Sequence, residues 1–263
     1  MEFSIQTDPV CSRCGEPLGF PEGPVSPLTC RVCRLAPPAF VRAVSYGPYE
    51  GRMREAIHAL KYDGLHGASG RLGQMLAAAI GRLAPEAPAE MLVIPVPLHR
   101  SKRAQRGFNQ ARLLAASAVA GLRRTHPGWM LTLASSAVMR IRATERQASL
   151  TPRQRRINLR GAFVVADPKA VAMKHILLID DIFTTGATAR SVAQVLMRSG
   201  AASVWVATLA RARRIFDRPG ELRFLHREED LTGEKAVGGR VEHPRVDQVK
   251  PARMHASPNQ PSF

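Results

Sequence analysis

No apolar run in this 263-residue chain approaches the ~20 residues a helix needs to cross a bilayer; the longest, Leu113 to Leu122, is about half that. Met1 to Asp8 also lacks a basic segment followed by an apolar one, so no signal peptide is expected and the chain is read as cytoplasmic. Aromatic residues are scarce at 5%, which removes most of the side chains that stack on unpaired bases. Acidic residues are outnumbered, 21 Asp plus Glu against 38 Lys plus Arg, for a formal charge of +17. No GxxxxGK[ST] or GxGxxG string occurs, which excludes a Walker loop and a dinucleotide turn. What is present is ordinary globular material: 45% hydrophobic residues exclude wholesale disorder, and the length fits one α/β domain with an appendage or two small domains.

The positive surplus favours phosphorylated partners, either nucleic acid or phosphorylated small molecules, over a compositional drift toward Arg. Its location decides between these. Residues 211–263 hold 11 basic and 8 acidic residues, a net of only +3, so the other 210 hold +14. Much of that lies in two Arg-bearing stretches beside expected loops. Clustering of that kind points to phosphate binding, though it does not separate a nucleotide from DNA.

All four cysteines lie near the N-terminus as Cys11-x-x-Cys14 and Cys30-x-x-Cys33, the spacing of two knuckles closing on one zinc ion. Gly15 suits the tight turn after Cys14. Between the pairs stand Pro17, Gly19, Pro21, Gly23, Pro24 and Pro27, a composition that builds little apolar core and leaves stability to a metal. Two disulfides are the competing reading, disfavoured in a chain without a signal peptide. A fourfold thiolate set leaves no open position, so Cys11, Cys14, Cys30 and Cys33 predict structural Zn2+ rather than a catalytic metal.

The most informative segment is Lys174 to Thr188. Ile176-Leu177-Leu178-Ile179 has the continuous apolar character of a strand buried on both faces of a parallel sheet. Asp180 and Asp181 follow, then the hydroxyl-rich loop Thr184-Thr185-Gly186-Ala187-Thr188. Val192, Val195 and Leu196 are spaced for a helix over Ala189–Ser199, with Gly200 as its stop. This order puts the loop at a helix N-terminus, where backbone N–H groups and the helix dipole favour an anion. Two carboxylates beside an anion site need a purpose of their own. Hydrogen-bonding a ribose diol, or holding Mg2+ through waters, supplies one. A capped helix with a solvated Asp pair is the structural alternative.

Ile176 to Thr188 resembles the phosphoribosyl pyrophosphate (PRPP) signature of type I phosphoribosyltransferases, two acidic residues followed by a TTGxT loop. By that resemblance Asp180 and Asp181 would bind the ribose 2- and 3-hydroxyls, and Thr184, Thr185, Gly186, Ala187 and Thr188 the 5-phosphate.

Upstream, Met91 to Pro97 predicts a short apolar strand running into a basic loop with Arg100, Lys102, Arg103, Arg106 and the flanking Arg112. A helix follows with Phe108, Ala111, Leu114, Ala115 and Ala118 on one face. Basic loops at the carboxyl ends of strands are where open α/β sheets bind ligands. In the transferase reading Arg103 and Arg106 would hold pyrophosphate, whose charge builds as it leaves. Tyr46 to Gly64 has helical spacing, and Lys61 is either a solvent-facing residue or a further pyrophosphate contact. A second Arg-rich run, Arg140 through Arg142, Arg146, Arg153, Arg155 and Arg156 to Arg160, is either a hood over the substrate or a solvated face.

Together these segments resemble the ComF family of competence-associated proteins. The likeness rests on the paired CxxC motifs, Tyr49-Glu50-Gly51-x-x-Arg54 with Leu60-Lys61-Tyr62, and Pro95-Val96-Pro97 with Arg106-Gly107-Phe108-Asn109-Gln110. It continues through Gln147, Leu150, Arg155 and Asn158 to Ala162-Phe163, the PRPP signature and a closing strand Ser203–Leu209. The resemblance implies an α/β fold: a type I phosphoribosyltransferase-like parallel sheet flanked by helices, with a small N-terminal zinc ribbon. It divides the chain into a zinc ribbon at 1–42 and a phosphoribosyltransferase-like domain at 43–212. Residues 213–263 depart from the family pattern; rich in Pro and Gly and without a sustained apolar period, they are read as a disordered tail, with one short element expected near Glu221–Leu225.

Two functions compete. One is an Mg2+-dependent transfer of ribose 5-phosphate from PRPP to a nitrogen acceptor, with Asp180, Asp181 and Arg106 as the catalytic set. The other is a non-catalytic adaptor in DNA uptake that binds PRPP or a related ribose phosphate, with single-stranded DNA and competence proteins as partners.

Overall fold

The computed structural model describes residues 9–18, 28–62, 67–143, 154, 159, 161–218 and 221–224. At the N-terminus, helix α1 (Arg31–Leu35) follows directly on Cys30. Five parallel strands then form the main sheet: β1 (Ala43–Pro48), β2 (Glu90–Pro95), β3 (Met130–Leu133), β6 (His175–Phe183) and β7 (Ser203–Arg211), in the spatial order β1-β7-β6-β2-β3. Helices α2 (Gly51–Tyr62), α3 (Ala68–Gly81), α4 (Arg100–Arg106), α5 (Gln110–Thr125), α6 (Pro168–Val171) and α7 (Ala187–Arg198) connect them. A two-stranded antiparallel sheet, β4 (Val138–Arg140) with β5 (Phe163–Val165), stands apart from the main one. A last hairpin pairs β8 (Arg214–Arg218) with β9 (Glu221–Phe224), so the short element expected near 221–225 is one strand of a pair that begins earlier. These elements give the parallel sheet flanked by helices, with a four-cysteine module at the N-terminus, that the sequence called for.

The central strand β6 shows why the sheet is two-faced. Side chains alternate along a strand, so Leu177 and Ile179 pack with α2, α3 and α5, against residues such as Ile57, Leu76 and Leu114. Ile176 and Leu178 point the other way, into a second cluster with Val192 and Leu196 of α7, Phe40 and the four cysteines. Each of these fully buried aliphatic side chains contributes about 1.5–3 kcal/mol, and covering both faces explains the unbroken apolar run. The strand extends past that run. It includes Asp180 and Asp181, which the sequence placed after the strand's end, and alternation therefore sends the two carboxylates toward opposite faces.

The strand order also places the site. After β2 the chain crosses through α5 to β3 on one side; after β6 it crosses through α7 to β7 on the other. Neighbouring strands whose connections diverge leave a crevice outside their carboxyl ends, the position at which open α/β sheets bind ligands. Here that crevice lies between the ends of β2 and β6.

Close approach of α3 and α5 builds the floor of one face. A Cβ on Gly73 would stand 2.2 Å from Ser117 Oγ, so the two helices meet where one has no side chain. Gly73→Ala is expected to destabilise the protein by about 1–3 kcal/mol through overpacking, despite alanine's better helix propensity. Adding Ser117→Gly should return part of the loss. Urea unfolding of the three variants checks this, and an unchanged midpoint for Gly73→Ala would show that the helices simply move apart.

Candidate functional site

The segment after β2, expected as a basic loop, is instead a short helix. His99 starts α4 by accepting the Ser101 N–H on Nδ1 at 3.3 Å, and Gly107 ends it at φ +80°, a left-handed turn that favours glycine. Asn109 then caps α5: its Oδ1 accepts the Ala111 N–H at 3.0 Å while its Nδ2 donates to the Val96 carbonyl at 3.0 Å. The start of α5 is thereby tied to the end of β2. None of α4's residues is buried, so Arg100, Lys102 and Arg103 are held out into solvent, and Arg106 alone is drawn inward.

Arg106 enters a chain of contacts that crosses the crevice. Its Nη1 donates to Gln110 Oε1 at 2.7 Å, and Gln110 Nε2 donates to Asp181 Oδ2 at 3.2 Å. Lys61, from the last turn of α2, reaches the same Oδ2 with its Nζ at 2.8 Å. Tyr62 lies beneath the Arg106 guanidinium, 5.2 Å from ring centroid to Cζ, a cation–π contact. The structure thus brings Lys61, Arg106 and Asp181 together. Arg103 is not part of this chain.

The two carboxylates live in different surroundings. Burial pushes the Asp181 carboxyl up, but the charge and hydrogen bond of Lys61, with Gln110, hold it below the usual carboxylate range. Burial lowers the Lys61 ammonium in turn, and Asp181 more than reverses that. For Asp180 the Lys61 charge and the Asp181 N–H, which donates to its Oδ1 at 2.9 Å, offset burial only in part. Burial and then the neighbouring Asp181 charge push its carboxyl well above the ordinary range. It lines a small cleft with Phe183, Thr184, Gly186, Ala187, Thr188 and Thr208. Thr208, in register with Asp180 on β7, shares a hydrogen bond with Ser45 on β1 at 2.7 Å. Arg140, at the end of β4, is near enough for Asp180 to offset part of what burial does to its guanidinium.

The loop closes this cleft. Gly186 has φ +74°, and a Cβ there would come within 2.4 Å of the Phe183 ring, so no other residue fits. Gly186 brings no side-chain acceptor to the start of α7, and Thr185 Oγ1 accepts the Ala187 N–H at 3.2 Å. A helix beginning this way presents the remaining donors of its first turn to an anion. Of the second Arg-rich run, Arg146, Arg153, Arg155, Arg156 and Arg160 lie outside the described residues.

In the same core cluster as Phe183, the four cysteine sulfurs lie within 4.8 Å of one another. Cys14 Sγ and Cys30 Sγ are 3.7 Å apart, too far for a disulfide. A tetrahedron with metal–sulfur bonds of about 2.3 Å has edges of about 3.8 Å, so the set fits zinc. The thiols also compete for protons: a hydrogen bond from Cys14 pushes the Cys11 thiol down, and one with Cys11 pushes the Cys33 thiol up. Only a bound cation lets all four ionise together. Each knuckle is held by an arginine, one from the main sheet and one from the helix flanking it. Arg211, at the end of β7, donates to Cys14 Sγ at 3.6 Å, pairs with Glu16 and stacks over Phe183. Arg190, on α7, donates to Cys33 Sγ at 3.5 Å and to the Ala36 carbonyl at 2.6 Å.

Sequence reasoning missed several of these residues. Gln110 stood inside a quoted motif without a role; a polar residue at the first buried position of an amphipathic helix was the available signal. Arg190, Arg211 and Glu16 gave none, because their partners are 150 or more residues distant.

No protein-family model matches this chain. Curated relatives do. DNA utilization protein YhgH of Salmonella typhi is 33% identical over 205 residues, covering 77% of this chain and 84% of its own length. Competence protein F of Haemophilus influenzae is 28% identical over 79% of this chain and 87% of its own, and competence protein ComFC of Bacillus subtilis 28% over 78% and 79%. The chain belongs to the ComF family. Among solved structures, a hypoxanthine phosphoribosyltransferase from Staphylococcus aureus aligns with this ComF-family chain at 15% identity and a TM-score of 0.36. That alignment spans 57% of this chain and 70% of the other, at a score too low to fix an architecture. No helix among the described residues of this ComF-family protein is long and apolar enough to cross a membrane.

Two outcomes are expected. Metal analysis should find about one zinc per chain, lost in Cys14→Ser, with no change of melting temperature on adding reductant to the wild type. A drop with reductant alone would restore the disulfide reading. Asp180→Asn should raise the melting temperature at neutral pH by about 2–4 °C, the shift that ~1 kcal/mol gives at this size. The raised carboxyl means that the unfolded chain ionises first, so wild-type stability falls as pH rises from the ordinary carboxylate range toward the folded value. The gain in Asp180→Asn should therefore vanish in acid and grow toward neutrality, and calorimetric melts across that range read it directly.

Proposed function

We propose that this protein binds PRPP in the crevice at the ends of β2 and β6 and transfers its ribose 5-phosphate to a nitrogen acceptor, releasing pyrophosphate. The observation that carries this is the split pair. Asp180 lines the same cleft as Thr184, Gly186, Ala187 and Thr188, while Asp181 is held by Lys61 and Gln110. A half-buried carboxyl pushed up by burial and by the neighbouring Asp181 charge, beside a helix N-terminus that favours an anion, suits a ligand with a phosphate at one end and hydroxyls or a metal at the other.

In this reading the loop Thr184 to Thr188 takes the 5-phosphate and fixes the sugar, and Asp180 accepts hydrogen bonds from the ribose hydroxyls. Asp181 acts mainly through Lys61, keeping that ammonium charged and aimed. Lys61 and Arg106 face the departing pyrophosphate, whose negative charge grows as the bond to the anomeric carbon lengthens. Mg2+, entering with PRPP and faced by Asp180 through water, would supply further neutralisation of the leaving group. Fixed positive charge does most of this work, and no nucleophilic side chain is required.

The exposed cations of α4 favour a second reading. Arg100, Lys102 and Arg103 stand on a helix with no buried residue, at the rim of the crevice, as a contact for a polyanion would. Relatives named for DNA utilization and competence fit an adaptor that uses the fold without turnover.

Calorimetric titration with PRPP and Mg2+ tests the first reading. Wild type should bind, Asp180→Asn should bind roughly tenfold or more weakly, and an acceptor screen should find pyrophosphate release. Absence of PRPP binding to the wild type, with salt-sensitive binding of single-stranded DNA that falls in Arg100→Ala/Arg103→Ala, would move the assignment to the adaptor.

A further inference from the structure

We infer that Gln110 is a positioning residue: it aims Arg106 at the leaving-group side of the crevice and ties that aim to the Asp181–Lys61 pair. The inference rests on the PRPP reading of the site. A glutamine amide has one face that only accepts and one that only donates. Here the oxygen takes Arg106 Nη1 and the nitrogen gives to Asp181 Oδ2. A guanidinium has no acceptor and a carboxylate no donor, so the amide cannot be turned round without breaking both bonds. Gln110 is 5% exposed, which leaves little water to replace either partner.

The geometry explains why the residue stands there. Asn109 fixes the first turn of α5 to the Val96 carbonyl, and Gln110 is the next residue, facing β6 from the side on which Asp181 emerges. Arg106, four residues earlier, is separated from α5 by the left-handed turn at Gly107, which would let the α4 terminus swing. Among the described residues, Gln110 and the Tyr62 ring hold its guanidinium. The row Arg106–Gln110–Asp181–Lys61 therefore alternates cation, neutral amide, anion, cation. Lys61 pairs with the buried anion directly, whereas the amide keeps Arg106 one hydrogen bond away from it, so the guanidinium keeps its charge to offer a diphosphate. A carboxylate in place of the amide would pair with Arg106 and withdraw it.

The full-length protein is titrated with inorganic pyrophosphate and Mg2+, and separately with ribose 5-phosphate, comparing wild type, Gln110→Met and Gln110→Glu, each with its melting temperature. Gln110→Met, of similar shape but without the amide, should bind pyrophosphate roughly tenfold more weakly while keeping wild-type affinity for ribose 5-phosphate. Gln110→Glu carries the decisive readout. Ionised, it should bind pyrophosphate poorly; protonated, its carboxylic acid donates to Asp181 and accepts from Arg106 as the amide does. The ratio of its affinity to wild type, taken at each pH, should recover as pH falls from about 8 toward 5. A purely structural residue would lower the affinity for both ligands together, with a lower melting temperature and no recovery in acid, and that result overturns the inference. Wild-type pyrophosphate affinity in both variants overturns it while leaving the PRPP reading standing. A wild type that binds neither ligand removes both.

Discussion

Asp181 lies in the carboxyl end of a strand buried on both faces, and its charge survives there because Lys61 reaches it from α2 at 2.8 Å. Breaking a buried pair by removing one partner costs about 3–5 kcal/mol, far more than the pair contributes over a well-packed apolar substitute. Such a pair is therefore better explained by what it fixes than by stability. It pins the end of α2 to β6, brings Tyr62 beneath Arg106, and gives Gln110 an anion to point at. Without it the crevice would keep its backbone outline and lose its arrangement of charge.

The alternation of one strand divides the work. Asp181 faces the helices α2 and α5 and is paired with Lys61; Asp180 faces the loop, its Oδ1 accepting the Asp181 N–H at 2.9 Å. Adjacent residues in the chain thus occupy opposite electrostatic situations, one carboxyl held below the ordinary range and the other pushed above it. Strands β2 and β6 diverge in their connections, so cationic side chains arrive from one direction and phosphate-loop donors from the other. Any ligand spanning the crevice meets both.

Much of this was legible in the sequence because it was local. The apolar run Ile176–Ile179, the acidic pair and the glycine-bearing loop occupy thirteen consecutive residues and specify strand, site and helix together. The cysteine spacing likewise predicted a cluster whose sulfurs do converge. Less legible was anything set by tertiary contact. Arg100 to Arg106 is polar throughout and was read as a loop; its helix is built by the His99 cap and the Gly107 stop, with no apolar face to announce it. The acidic pair was taken to follow the strand, since apolar periodicity ends before hydrogen bonding does. That Lys61 would turn inward, and that Gln110 would link two charges, depended on which helices meet which strand end.

The arginine clamps on the cysteine module carry a consequence for the order of assembly. Arg211 and Cys14 are 197 residues apart, and β1 hydrogen-bonds only to β7, the last strand of the main sheet. A chain emerging from the ribosome therefore completes its N-terminal module and first strand long before the strand that β1 pairs with exists. During that interval β1 is an open strand edge, and Cys14 stands without Arg211. The arrival of β7 closes that edge and brings Arg211 to Cys14 and Glu16 with the same stretch of chain.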